Sequence, residues 1–301
     1  MNIDDVVMQY EKEIRMGFFF GMLALIGLWE LIAPRRALTV SKTVRWINNL
    51  GLVFVNSFIV RVVYPVAAIG VAATAQENHW GLFNTIGVNT IDIPIWLAAI
   101  LAIIIMDLVI YIQHVMVHSI PLLWRLHRVH HADPDYDVTT GSRFHPIEII
   151  LSMGIKFCTI VLLGPPVFAV ILFEIILNAT AMFNHGNIRL NTKVDKVLRL
   201  FLVTPDMHRV HHSIEDDETN SNFGFSLPWW DRIFGTYRDQ PRAGHTDMVI
   251  GIHKFREAKD VSWISGMLTL PLKGEMSGYT INRRSWSKDT IEEVNGNENN
   301  E

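Results

Sequence analysis

From Leu50 to Ala75 the chain runs for 26 residues with one charged side chain, Arg61. As a single helix that stretch is about 39 Å long, against roughly 30 Å for the hydrocarbon core of a bilayer. Few soluble folds can bury such a run, and it is not isolated. Gly17 to Ile32 is interrupted only by Glu30 and stops before Pro34, which suits a short span or an interfacial helix. Pro94 opens a third apolar run that passes Asp107 and continues to His118. Ile147–Leu163 and Val167–Met182, joined by Pro165 and Pro166, read as a helical hairpin. Between Pro146 and Ile188 only Glu148, Lys156 and Glu174 are charged. Charged residues make up 19% of the 301-residue chain, against about 25% in soluble domains, so the apolar excess is clustered as a bilayer requires. The expected fold is all-α: a polytopic membrane helix bundle of about four spans, the last two forming the hairpin.

Charge placement sets an expected orientation. Pro34 to Asn49 carries Arg35, Arg36, Lys42 and Arg45 without an acid, whereas Gln76 to Ile93 has no Lys or Arg. Positive loops stay inside, so the first is expected in the cytoplasm, and with it His114 to His145 and everything after His185. A net charge of -4 gives no basic excess for a nucleic-acid partner. The first fifteen residues mix acids and bases, unlike a secretory signal, and the N-terminus is expected to be retained. Val197 to Val203 suits an interfacial helix, and the polar tail from Ser285 has nothing to bury and is expected to be disordered. Three regions are expected: membrane helices over 1–106, a His-rich region with the hairpin over 107–240, and a cytoplasmic C-terminal segment over 241–301.

One cysteine, Cys158, leaves any metal to His and carboxylates. Eight histidines fall into three tight groups: His114 with His118; His127, His130 and His131; and His208, His211 and His212. Positions i and i+4 share a helix face, so His114 and His118 can clamp one ion. The pentapeptide His-Arg-Val-His-His occurs at 127–131 and again at 208–212. Its adjacent histidines diverge by about 100°, which lets one group serve two neighbouring ions. His114 lies 20 residues past Pro94, about 30 Å along a helix, which puts this set at one membrane interface. Imidazoles suit Zn, Cu, Fe or Ni, and eight of them exceed the needs of one zinc. A pH-sensing cluster is the alternative for the repetition.

These boxes, with Arg143-Phe-His145-Pro-Ile-Glu148, Asn184-His185-Gly-Asn187, Ser221-Asn-Phe-Gly and Trp230-Asp-Arg-Ile-Phe-Gly-Thr, resemble the fatty acid hydroxylase superfamily, also called the sterol desaturase family. The resemblance runs from about Asp107 to Tyr237. It implies an integral-membrane, non-haem di-iron enzyme that uses O2 to hydroxylate or desaturate a lipid C–H bond. It also implies that the eight boxed histidines are metal ligands, and it adds His145 and His185 at positions where the family often has His. The filling of the third box differs from that of several eukaryotic sterol enzymes, which disfavours that subfamily. Electrons are expected from an external ferredoxin or cytochrome, since no Gly-x-Gly-x-x-Gly marks a nicotinamide or flavin site and no fused haem domain is seen.

Three acids are candidates for orienting ligands. Asp107 lies seven residues before His114 on the same helix face, Glu148 follows His145 by three, and Asp206 precedes His208. Asp107 has a rival assignment, an ion pair with Arg61 at similar depth in a neighbouring span. Glu174 has no assigned role, and His79, His245 and His253 are expected to stand outside the site. Two other function classes share part of the pattern. A metal transporter places its ligands near the bilayer midplane, and a zinc-dependent membrane hydrolase leaves most of these imidazoles unused.

Overall fold

A computed structural model describes residues 3–87 and 93–274. The short α1 (Ile3–Gln9) leads into α2 (Glu11–Ile32), followed by α3 (Lys42–Val63), α4 (Ala68–Glu77) and a π-helical turn at Phe83–Gly87. Helices α5 (Ile95–Ser119), α6 (Pro121–His131), α7 (Pro146–Leu163) and α8 (Val167–Asn184) complete the framework. Beyond them lie α9 (Thr192–Leu198), α10 (Pro205–His211), α11 (Asp216–Thr219), α12 (Trp229–Phe234) and a few single turns. Among the described residues there is no strand, only the isolated bridges Pro34 to Ile188 and Ser213 to Ile250. The C-terminal tail from Ser285 lies outside the described residues.

Among the described residues, five helical stretches are long and apolar enough to cross a membrane: α2, α3 with α4, α5, α7 and α8. The first run, open between a span and an interfacial helix, is therefore a 22-residue helix of spanning character. The 26-residue run from Leu50 does not form one helix. It breaks between Val63 and Ala68 at Pro65, which fixes φ and offers no N–H for the helical ladder. Helix α3 instead starts eight residues earlier, at Lys42, and draws Arg45, Asn48 and Asn49 into buried positions. Arg45, counted above among loop cations, is fully buried and paired with Asp133 and Asp137.

Helix α8 is the central post, packing on α1, α2, α4, α5 and α10, with Phe173, Val170 and Ile171 in a core shared with Ile69, Ala72, Met106 and Ile160. The α7–α8 hairpin turns at Gly164, which caps α7 in the left-handed region at φ 58°. A Cβ there would stand 2.3 Å from the Trp80 carbonyl oxygen, so this turn requires glycine. Arg61 is exposed on α3. Asp107 is buried on α5 and accepts from Trp230 Nε1 at 2.9 Å and Leu227 N at 3.2 Å, so neither the Arg61 pair nor a bond to a boxed histidine forms. Lys156 and Arg15 both bond Glu174, tying α2, α7 and α8 together.

Candidate metal centre

Nine buried histidines gather at one end of the long helices. His114, His118, His127, His131 and His211 form one group, and His130, His185, His208 and His212 a second; within each, the candidate ligand atoms all lie within 4.8 Å of one another. The adjacent pairs divide between them, His130 from His131 and His211 from His212, as the 100° step along a helix requires. The groups abut, with the His131 and His212 rings stacked at a centroid distance of 4.6 Å.

His145 joins neither group. It caps the N-terminus of α7, accepting from Ile147 N at 3.3 Å, and its Nε2 faces the Leu268 carbonyl at 3.3 Å. Glu148, one turn into α7, bonds His127 Nδ1 at 2.6 Å rather than His145. Asp206 is engaged by Arg209 and, at 3.3 Å, by Arg35. Burial alone would raise its carboxyl, but Arg209, His245 and Arg35 together hold it below the ordinary range. It makes no bond to a boxed histidine, and His245 lies 3.7 Å from it, outside both groups.

The ring tautomers follow from what each Nδ1 meets. A carbonyl only accepts, so the Nδ1 atoms of His114 and His211, each 2.7 Å from the carbonyls of Phe223 and Ser221, must donate. His185 Nδ1 likewise donates to the Ala181 carbonyl at 2.8 Å. Each Nε2 is then a bare lone pair. That of His185 faces Nε2 of both His130 and His208 at 3.2 Å. Those of His114, His127 and His211, with both ring nitrogens of His212, are buried without a partner among the described residues. An unpaired buried acceptor costs about 1–3 kcal/mol, and a cation bound among these nitrogens would satisfy them. Burial pushes His185 and His211 down to about 3, and His130, His131, His208 and His212 well below the ordinary imidazole value, so all six are neutral at pH 7. Neutral imidazoles with Nδ1–H anchored elsewhere are the form that binds metal. The donor set fits metal ions of the nitrogen-preferring transition series.

Several supporting residues have no one-helix signature. Asp231 accepts from Phe223 N and Gly224 N, both at 2.8 Å, and so fixes the strap whose carbonyls hold His114 and His211. Asn222, at φ 50°, clips that strap to Met207 O and Arg238 O. On the other flank Asp133, Asp137 and Thr140 enclose Arg45. Burial opposes ionisation of Asp133, yet Arg45 and Arg143 hold its carboxyl below its ordinary value. This network braces the loop between His131 and Phe144, whose ring stacks on His130 at 4.7 Å. Gly141 lets the loop reach α8, since a Cβ would lie 2.6 Å from the Ala181 carbonyl oxygen and 3.0 Å from His185 Nδ1. The motif residues Ser221 to Gly224 and Trp230-Asp231 signalled this strap, but spacing alone does not reveal its contacts.

A cavity of about 310 Å³ reaches His114 and His127 from between α2, α3, α5, α7 and α8. Its walls near the histidines include Val53, Asn56, Val117, Phe144, Ile149 and Phe225.

A fatty acid hydroxylase family model matches residues 99–236. The ornithine lipid hydroxylase OlsE of Rhizobium tropici is 25% identical over 238 residues, 77% of this chain and 69% of that protein. Alkylglycerol monooxygenase of Xenopus tropicalis is 26% identical over 242 residues, 78% of this chain and 49% of that protein. The human alkylglycerol monooxygenase is 31% identical over 147 residues, 47% of this chain and 30% of that protein. The chain thus spans half or less of these two monooxygenases. No solved structure matches the chain. Over residues 99–236, which take in every histidine of both groups, the chain is similar to the fatty acid hydroxylase family.

Proposed function

We propose that this chain is a membrane-bound, O2-dependent lipid oxygenase whose two histidine groups hold two iron ions. The observation that carries the reading is the convergence of nine buried imidazoles at the end of a cavity running between apolar helices. When bound, iron supplies the redox chemistry by which dioxygen and external electrons oxidise an unactivated C–H bond. The chain's own residues do the rest. His114, His118, His127, His131 and His211 are the proposed ligands of one ion and His130, His185, His208 and His212 those of the other. Glu148 orients His127, and the Phe223 and Ser221 carbonyls orient His114 and His211. The cavity wall lines up an alkyl chain against His114 and His127 and keeps bulk water from it. Residues 107–240 carry the reaction on the cytoplasmic side, where a ferredoxin or cytochrome can deliver electrons.

The relatives' names support a lipid substrate, since one is a hydroxylase of an ornithine lipid and others are alkylglycerol monooxygenases. The test uses purified protein in nanodiscs with a ferredoxin, its reductase, and either an ornithine lipid or an alkylglycerol under isotope-labelled dioxygen. Mass spectrometry is expected to find one labelled oxygen atom in the lipid product and none with His211→Ala. Label arriving from water, or turnover untouched by His211→Ala, would contradict the proposal.

A further inference from the structure

The cavity that reaches His114 and His127 does not end in hydrocarbon. Along α7 its wall extends from Glu148 to Lys156, and along α8 from Met182 to Glu174. Either stretch is about 12 Å at 1.5 Å per residue. At the far end Glu174 Oε1 accepts from Lys156 Nζ at 2.8 Å, and Oε2 accepts from Arg15 Nη1 at 2.7 Å. All three side chains line the cavity.

Tying helices together is a poor account of this cluster by itself. Charge within a bilayer is expensive, and replacing a buried ion cluster by apolar side chains of similar volume is often neutral or stabilising. The hydrogen bonding is also lopsided. An ammonium carries three donors and a guanidinium five. Among the described residues Lys156 donates to Glu174 alone, and Arg15 donates to Glu174 and, at 3.2 Å, to Glu11, which is not part of the cavity wall. The Lys156 side chain is only 10% exposed, so water satisfies little of it. The opposite end has the reverse polarity. Asn56 spends its amide N–H on the Phe144 carbonyl at 2.9 Å, which leaves Oδ1 buried and unpartnered, and Glu148 Oε2 is unpartnered as well. The cavity has surplus donors at one end and surplus acceptors at the other.

We infer that Arg15 and Lys156 bind an anionic oxygen group, a carboxylate or a phosphate, carried at one end of the substrate's alkyl chain. The inference rests on the reading of this cavity as the lipid site and names the substrate class within it. Glu174 holds the two cations apart along the wall and keeps them soluble in a low-dielectric setting. A chain stretched from Lys156 towards His114 and His127 presents a carbon about 12 Å from the anion, so oxidation falls within the chain rather than beside the charged group. A neutral amphiphile of equal length lacks the charge-assisted bonds and binds more weakly.

Equilibrium binding of labelled palmitate, hexadecanol and dipalmitoyl phosphatidic acid to the iron-loaded full chain, in nanodiscs of zwitterionic lipid, tests this. One of the two anions is expected to bind about tenfold tighter than hexadecanol. A preference for palmitate identifies the carboxylate as the source, and one for phosphatidic acid the phosphate. Lys156→Met should erase the preference and Lys156→Arg should keep it. Arg15→Gln, at a partly exposed position, serves where Lys156→Met does not fold, and it should also cut the preference. Equal affinity for all three probes in the unaltered protein overturns the inference, as does a preference that survives both Lys156→Met and Arg15→Gln. Iron is counted in every sample. Lost anion preference with iron retained assigns the effect to this end of the cavity, whereas unaltered protein that binds no iron strikes the oxygenase reading and leaves the binding comparison intact.

Discussion

Glu148 reaches across 21 residues of sequence to His127, while His145, three residues away, is turned to cap a helix. The two therefore respond differently to substitution. Glu148→Gln is expected to weaken metal retention roughly 10–100-fold by loosening the His127 ring, as measured by chelator competition. His145→Ala should leave metal content unchanged and cost about 1 kcal/mol of stability through the lost cap. Asp231 gives a pH signature away from the histidines. Burial pushes its carboxyl up to about 6 against the bonds from Thr236, Gly224 and Phe223. A raised folded-state value means that the group's stabilisation is complete below the unfolded value near 4 and lost as pH rises through about 6. The difference is on the order of 3 kcal/mol. Asp231→Asn should flatten the stability profile between pH 4 and 7, and an unchanged slope in denaturant unfolding would remove this assignment. The boxed histidines were legible because i, i+3 and i+4 spacing reports what shares a helix face. Glu148 to His127 and Asp231 to Phe223 were not, because those contacts form only when separate segments pack.

At the scale of elements, the apolar runs foretold α2, α5 and the α7–α8 hairpin, since a 3.6-residue repeat without charge has few other solutions in a bilayer. The break at Pro65 was written in the residues but outweighed by the hydropathy of the run around it. The loop assigned to Pro34–Asn49 is shorter in the fold, because Arg45 finds Asp133 and Asp137, and Asn48 accepts from Ile264 N at 3.1 Å, partners that no local pattern announces. The hairpin depends on its turn. Gly164→Ala places a methyl against the Trp80 carbonyl at a positive φ, and a loss of about 1–3 kcal/mol is expected in thermal unfolding. Gly21→Ala, where a Cβ meets nothing within 4 Å in mid-helix, should be neutral or slightly stabilising and serves as the control.

The whole molecule places a polar, histidine-lined end on an apolar bundle, with a cavity connecting the two. Hydropathy reads the bilayer directly from sequence. The cavity has no such signal, since its walls come from five separate helices and its charged end joins Arg15 to residues more than 140 positions away. The split of neighbouring histidines into two groups is the feature on which the functional account stands, because one group suffices for a single-metal site. Elemental analysis of protein purified without affinity-tag histidines tests it most directly. Two irons per chain are expected, one for each group, with the count falling in His211→Ala and in His208→Ala while the helical content holds. Stoichiometric zinc without iron, or a full iron count in both variants, would contradict the account.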